Sequence, residues 1–457
     1  MCPLVQNTFS NGWRRVILKP RGFASNVYFW GAKLTHEISS SLPFIEGRGG
    51  VFCRGCLGRN LFSGLDLGEL PIANELLKSL EGSLESFPLH LRICSECGLG
   101  QVEDVVTPER IFRDYRYLSS MSTTFLRHAF DFVDERIKEE IFEPGDWVLE
   151  IASNDGYLLK NFLPFGIKAI GVEPAENVAK ISRELGIETI SEFFTSELAE
   201  KIRELNGYPK LIIANNVMAH VPDLGDFVKG LSLLCGPETE ISIENPSLAN
   251  ILLEMQFDTI YHEHYSYLSA SSVGKVSQRN GLQLFKVENL SIHGGSNRYW
   301  LRSLSTKGSI HSSVEVFYNS EKSSGLFEPS KWANFSDKVA KIRSDFHAWL
   351  SDSADKGRRV YGYGAAAKAS TLLNSISTND GLIVAIADVS LEKQARFMPP
   401  HGIKIISPNE LFTKNPTDIV IFPWNLKLEI AKYLRSNLGD GVRLWCAIPE
   451  IHEVDIK

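Results

Sequence analysis

The chain predicts an α/β protein: two Rossmann-like, mostly parallel sheets preceded by a small module built on cysteines. Three observations carry this. Trp147-Val-Leu-Glu-Ile151 is a short apolar run, Ala152-Ser-Asn-Asp-Gly156 a tight turn, and Tyr157–Phe162 the start of a helix; a second apolar run, Ile167–Val172, ends on Glu173-Pro174. That is a strand–turn–helix–strand unit. A second alternation begins at Arg359-Val-Tyr-Gly362 and continues through 383–386, 419–422 and 442–445. Ahead of both, four of the seven cysteines fall into two Cys-x-x-Cys pairs.

Length and composition set the frame. At 457 residues there is room for about three domains. Hydrophobic residues at 43% and charged ones at 23% describe an ordinary globular chain. A net charge of −7 argues against a nucleic-acid or anionic-membrane partner, and no apolar run approaches the roughly 20 residues of a membrane span. Clustered thiols with unpaired leftovers (Cys2, Cys235, Cys446) suit a reducing compartment, so a cytoplasmic location is expected. Residues 1–36 carry five basic side chains and no acid, a bias shared by organellar targeting segments and by plain tails; residues 1–48 are read as one or the other.

Taken in order, 49–145 is a zinc-binding domain followed by a helical linker. Cys53, Cys56, Cys94 and Cys97 supply four thiolates for a tetrahedral zinc; with no open coordination position such a zinc is structural. From about Thr107 to Phe142 apolar residues recur at helical spacing, and Pro144-Gly145 ends that pattern. The first α/β domain spans 146–308: Leu211–Ala214 is apolar throughout, as strands buried on both faces are, and 240–244, 282–285 and 297–301 are later strands, the last an antiparallel finish. The polar stretch 319–324 leads into a linker helix within 309–355, whose stripe is Trp332, Phe335, Val339, Ile342, Phe346 and Trp349. The second α/β domain fills 356–457.

The chemistry gathers at the carboxyl ends of the first sheet's strands, where open α/β sheets bind ligands. Glu173 stands where an acid can take both hydroxyls of a ribose, next to Pro174. The turn Glu150 to Gly156, with Ser153, Asn154 and Asp155, has no Gly-x-Gly-x-x-Gly pattern, and Asp155 would repel a pyrophosphate. A ribose-bearing cofactor without phosphates fits, and S-adenosylmethionine is the obvious one; a nucleotide-free core is the alternative. Asn215, Asn216 and His220 follow the next strand. Phe257-Asp-Thr-Ile-Tyr261-His-Glu-His264 follows the fifth, and two imidazoles, a carboxylate and a phenol in succession are costly to bury for structure alone. If extended, His262 and His264 face one way and Tyr261 and Glu263 the other, an alternation a loop can break. In the second sheet, Gly362-Tyr363-Gly364-Ala-Ala-Ala-Lys368 joins strand to helix. Such a turn either cradles a phosphate, with Lys368 adding charge, or packs helix on strand.

Together these runs resemble the sugar C-methyltransferase family, the enzymes of branched deoxysugars. The resemblance spans about residues 50–450. It rests on the cysteine quartet with Asp66-Leu-Gly68 and Pro71, on Glu150 to Gly156, on Gly171-Val-Glu173-Pro174-Ala175 and on Asn215 to Asp223. Phe257 to His264, His293-Gly-Gly-Ser296, Gly362 to Lys368 and Pro423-Trp424-Asn425 complete it. It implies a zinc-binding domain, a class I methyltransferase domain that uses S-adenosylmethionine, and a C-terminal Rossmann-like domain that helps hold a nucleotide sugar. The implied reaction methylates the carbon beside a 4-keto group. His264 is then the general base, Glu263 and Tyr261 contact the sugar, His220 lies beside it, and Tyr115 reaches in from the zinc side. Glu150, Ser153, Asn154, Asp155, Gly156, Glu173, Pro174 and Asn215 bind the cofactor; Asn216, His262, Gly362, Tyr363, Gly364 and Lys368 bind the substrate.

A carbon beside a ketone is a weak acid, so an imidazole must take its proton while donors stabilise the enolate oxygen. Tyr115, Tyr261 and His220 are the candidate donors, and in-line methyl transfer follows. The chain departs from the family pattern in a longer N-terminal tail, in Asn297 where an apolar residue is common, and in Pro399-Pro-His-Gly402 where Pro-Gly-Thr is usual. The last leaves the acceptor open. A methyltransferase with another acceptor, a binding protein without catalysis, and a nicotinamide-dependent oxidoreductase are the competing readings. The short Gly-x-Gly and the lack of a Tyr-x-x-x-Lys near it weigh against the last.

Overall fold

The computed structural model describes residues 52–80, 84–103, 105–112, 118–139, 141–376 and 381–455. The tail 1–48, with its targeting reading, and Tyr115 lie outside them.

Three sheets form. The first is antiparallel: Leu61–Leu70 pairs with Phe87–Cys94, which pairs with Gly100–Gln101. Its fourth strand, Ser266–Tyr267, comes from far along the chain, directly after the Tyr-His-Glu-His run. The second sheet has seven strands. Trp147–Ile151 lies between Lys168–Val172 and Leu211–Asn215, with Glu188–Ile190 outside the former and Glu240–Pro246 beside the latter, all parallel. Ser296–Ser303 then inserts antiparallel between Glu240–Pro246 and the edge strand Leu282–Leu290. The third sheet centres on Val360–Tyr363, Asp418–Ile421 and Ile386–Ala387 in parallel, with antiparallel strands at both edges.

Burial follows from the apolar runs. Val148, Leu211 and Ile213 carry one face of the central sheet, and the helix Thr123–Lys138 covers it with Ala129, Phe132 and Val133. That helix begins where Ser122 accepts the Phe125 amide at 3.3 Å and ends on Arg136 and Lys138, cations that suit a helix C-terminus.

The long helix Pro329–Asp355 buries Trp332, Phe335, Val339, Ile342 and Phe346 as the stripe predicts, with Pro329 in its first turn. Its stripe is shared. One apolar cluster joins Leu65, Leu91 and Ile93 of the first sheet, the Trp332 stripe, Val360 and Ile386 of the third, and Leu372 of the helix Ala367–Ser375.

Three local expectations differ from the fold. The segment after the Gly156 turn forms two short 3₁₀ turns, Leu159–Asn161 and Leu163–Phe165, and not an α-helix. Pro164 has no N–H to continue a helix, and Gly166 at φ +72° ends the second turn. The polar stretch 319–324 mostly falls within a helix, Ser313–Ser323, because its polar residues face solvent while Val314 and Glu321 turn inward. The strand expected at 383–386 is shortened to Ile386–Ala387, the only positions there that pair on both sides.

Trp332 is fully buried and its indole N–H donates to Leu326 O at 2.9 Å. Trp332→Ala should therefore destabilise the chain by about 3–5 kcal/mol, the range for emptying a buried aromatic site, read as a lowered midpoint in thermal or denaturant unfolding. A midpoint within a degree of the parent would show that the shared core does not depend on this side chain.

Candidate active site

The cysteine module comes first, because it shapes what lies above it. Strand and turn bring Cys53, Cys56, Cys94 and Cys97 together, with all four sulfurs within 4.8 Å of one another. Cys53 Sγ lies 3.4 Å from Cys97 Sγ, and Cys56 Sγ 3.5 Å from Cys94 Sγ. Four thiolates about 2.3 Å from a tetrahedral zinc stand roughly 3.8 Å apart, so the quartet fits that ion and leaves it no open position.

Four contacts run from this module to the Tyr-His-Glu-His loop. Arg54 Nη1, between the first two cysteines, donates to Tyr265 O at 2.7 Å and to Val102 O at 2.8 Å. The backbone and side-chain amides of Asn74 donate to Glu263 Oε1 at 3.0 and 3.1 Å. His262 Nε2 donates to Phe87 O at 3.1 Å, and its ring stands edge-on to Phe87. Tyr265 donates its hydroxyl to Val106 O at 2.6 Å.

The second component is the edge of the central sheet. Glu173, at the end of Lys168–Val172, accepts the Asn154 amide on one carboxylate oxygen at 3.0 Å and the Ala175 amide on the other at 2.9 Å. It thereby ties the turn to the strand end while keeping lone pairs free. Asn154 itself turns through φ +49°, which its residue type tolerates, and Gly156 at φ +76° has Ile187 and Ser182 packed where a Cβ would stand.

Glu150, Asp155 and Glu173 form a buried acidic group, and among the described residues no basic side chain is paired to it. Burial, with the charges of Asp155 and Glu173, pushes the Glu150 carboxyl well above its usual range, and burial raises Glu173. Glu150 Oε2, Ser153 Oγ, Asp155 Oδ1 and Asn215 Oδ1 are buried without a hydrogen-bond partner. Buried acceptors left open want a donor. Open acceptors beside a cluster of carboxyl groups suit a sulfonium and ammonium ligand and disfavour a phosphate. Pro174 follows Glu173, and Asn216, at φ +52°, donates its amide to Glu244 O at 2.6 Å.

The third component is a ring cluster. The loop breaks strand alternation: Tyr261 and His264 are half-buried and pack on each other with centroids 4.1 Å apart, while His262 and Glu263 are fully buried behind them. His220 comes from the Leu211–Asn215 side and places its ring 4.6 Å from that of His264. Its Nδ1 lies 2.6 Å from Glu263 O. A carbonyl only accepts, so Nδ1 carries the proton and Nε2 the lone pair. Burial lowers the His220 pKa to about 4, and the ring is neutral at physiological pH. The expectation that His220 donates to an enolate is corrected on this ground: its one N–H is already used. Tyr267 supports the loop, accepting the Tyr261 amide on its hydroxyl at 2.9 Å.

The Gly362–Lys368 turn does not form a phosphate cradle. A Cβ on Gly362 would meet Phe422 and Ile386, and one on Gly364 would meet Pro423. The Gly364 amide donates to Ala387 O and the Ala365 amide to the Asp388 carboxylate. These glycines serve close packing, and Asp388 would oppose an anion. Tyr363 is buried against Tyr433. Lys368 turns toward Asn425 and Trp424.

Other polar groups at the site carried no sequence signal. Glu244, almost fully buried, takes His128 Nε2 at 2.8 Å and Arg298 Nη2 at 3.1 Å. The amides of Ser119 and Ser120 donate to Asn154 Oδ1 and Asp155 Oδ2 at 2.9 and 3.2 Å. These groups lie far apart in sequence, and no spacing links them.

Comparison with known proteins agrees with this construction. Family models match in chain order: "Putative zinc binding domain" over 53–112, "Methyltransferase domain" over 125–287 and "C-methyltransferase C-terminal domain" over 291–449. The central sheet is thus that of an S-adenosylmethionine-dependent methyltransferase, and the four cysteines are the zinc site of its N-terminal module. C-methyltransferase NovU of Streptomyces niveus is 30% identical over 400 residues, 87% of this chain and 95% of that protein. The chain belongs to the C-methyltransferase family. Among solved structures, magnesium protoporphyrin IX methyltransferase of Synechocystis with bound S-adenosylhomocysteine is similar over 39% of this chain and 83% of that one, at 16% identity and a TM-score of 0.31. The CcbJ methyltransferase of Streptomyces caelestis is similar over 39% and 89%, at 12% identity and 0.30. No helix among the described residues is long and apolar enough to cross a membrane.

Two outcomes are expected. Purified protein should contain one zinc per chain, and Cys94→Ser should lose it together with solubility or thermal midpoint; zinc-free protein on metal analysis would refute the site. Glu173→Ala should weaken S-adenosylmethionine binding by about 1–3 kcal/mol in calorimetry, the range for hydrogen bonds to a charged partner. Unchanged affinity would place the cofactor elsewhere.

Proposed function

We propose that this C-methyltransferase acts on the carbon beside the keto group of a nucleotide-linked 4-keto-deoxysugar, with His264 as general base. The observation that supports the reading is the grouping of the half-buried rings of Tyr261, His264 and His220 at the carboxyl edge of the cofactor-binding sheet. S-adenosylmethionine, when bound, supplies the electrophilic methyl group. The protein's task is to make the acceptor carbon nucleophilic.

His264 takes the proton from that carbon, a task for an imidazole because its ordinary pKa lies near neutrality. The Tyr261 hydroxyl, packed on His264, is the donor for the enolate oxygen, with Tyr115 beside it on the family pattern. His220 is fixed as an acceptor and orients a sugar hydroxyl. Glu263 holds the His220 imidazole in place, accepting its Nδ1–H on the main-chain carbonyl, and anchors its own carboxylate on Asn74. The nucleotide then lies toward the C-terminal sheet. With Gly362 and Gly364 closed by packing, Tyr363 and the Pro399–Gly402 loop are the elements left to select it. A reducing compartment, the cytoplasm or an organelle reached through the N-terminal tail, suits the thiols of the zinc site.

His264→Asn keeps a polar group of similar reach but cannot take the proton. Turnover with a 4-keto nucleotide sugar, followed by mass spectrometry, should fall on the order of 10²–10⁴-fold while cofactor affinity stays at the parent value. The parent should exchange deuterium at the carbon beside the ketone and the variant should not. A variant that still methylates near the parent rate would move the base to His220, and a panel of 4-keto nucleotide sugars that yields no methylated product would overturn the acceptor class.

A further inference from the structure

Asp258, Trp424 and Lys368 meet where the C-terminal sheet touches the catalytic loop, and none has a part in the chemistry above. Asp258 lies in the 3₁₀ turn Phe257–Thr259, three residues before Tyr261, and is 1% exposed. Its Oδ2 accepts the Trp424 indole N–H at 2.9 Å, while its Oδ1 is buried without a hydrogen-bond partner. Lys368 Nζ stands 3.8 Å from the centroid of the Trp424 ring and donates to Asn425 Oδ1 at 2.9 Å.

Two more contacts converge here. The Thr371 hydroxyl donates to Ile260 O at 3.2 Å, next to Tyr261. Gly294 leaves the space that the far edge of the Trp424 ring fills; a Cβ there would lie 2.4 Å from it. Gln256 Nε2 closes the group by donating to Gly294 O at 2.8 Å.

Removal of a carboxylate and an ammonium from water is unfavourable, and apolar residues would join two domains at least as well. What the polar arrangement adds is direction. The indole N–H fixes Asp258, the lysine charge opposes the burial that would neutralise Asp258, and the ring is held in the Gly294 notch. The mutual influence is visible in both groups: burial raises Asp258 to about 6 against the pull of Lys368, and burial lowers Lys368 to about 8 against the pull of Asp258.

We propose that Asp258, Trp424 and Lys368 form a positioning latch through which the C-terminal domain sets the placement of the Tyr261–His264 loop. Lys368 is then a loop-positioning residue, not a ligand for a substrate anion. The proposal rests on that loop being the active site, but its test needs no acceptor, so it can fail separately from the nucleotide-sugar reading.

Hydrogen exchange on the full chain, followed by mass spectrometry, reads the loop directly. Asp258→Asn keeps an acceptor for the indole but strands the lysine charge; Lys368→Met strands the carboxylate. Each should speed exchange of amides in 256–268 and 292–296 on the order of tenfold while the 150–174 turn is unchanged. The double variant removes both buried charges, keeps an acceptor for the indole, and should return to within about twofold of the parent. Trp424→Phe, which keeps the ring in its notch and deletes the N–H, should reproduce the single-variant pattern and carries the test if Asp258→Asn does not fold. Parent-like exchange in the single variants, or single effects that add in the double, would overturn the latch. So would a Lys368→Met variant with unaltered loop exchange and a KM raised alone, which would return Lys368 to substrate binding.

Discussion

The geometry of the site depends on the Phe257–Tyr267 run being held by two structural units at once, the cysteine module and the C-terminal domain. Its end is a strand of the cysteine module's sheet, paired with Gly100–Gln101. Its middle is pinned by Arg54, Asn74 and the Phe87 carbonyl. Its start is tied to Trp424 and Thr371 of the C-terminal domain. A loop with so many ionisable groups would be mobile on its own. Here Arg54, Asn74, Phe87 and Trp424 tie it down, with His262 and Glu263 buried and the Tyr261 and His264 rings half-buried in front of them.

This gives the zinc a physical meaning beyond local stability. Its four thiolates hold a module with a modest core, and that module supplies the sheet edge and the donors that define the loop. Removal of the metal would act on catalysis through distance and orientation, which matter steeply when two reactants must be aligned.

Electrostatics separates the two halves of the site. The cofactor edge gathers Glu150, Asp155 and Glu173 with open acceptors, an environment for a cation. The loop side holds a neutral His220 whose tautomer is set by a main-chain carbonyl. A neutral ring there avoids a second imidazolium charge next to His264, 4.6 Å away.

Much of this was legible in the residues. The two Cys-x-x-Cys pairs defined the zinc site because thiolate chemistry needs only spacing and proximity. The apolar runs at 147–151, 168–172 and 211–214 named the central sheet, since strands buried on both faces admit few polar residues, and the Trp332 stripe named the long helix. The ordered motifs named the family. What the sequence left open were questions of direction. It could not say that Tyr261 and His264 share a side while Glu263 turns to Asn74, because a loop has no fixed period. It could not separate a phosphate cradle from a packing turn at Gly362 and Gly364, because the same glycines serve both until Phe422 and Pro423 fill the space. Nor could it show His128, Arg298 and Glu244 meeting, or Asp258 reaching Trp424, since those pairs lie far apart in the chain. Composition and periodicity determine which segments are buried; only the packed fold decides which polar atoms meet, because a hydrogen bond depends on distances of tenths of an ångström that no sequence interval encodes.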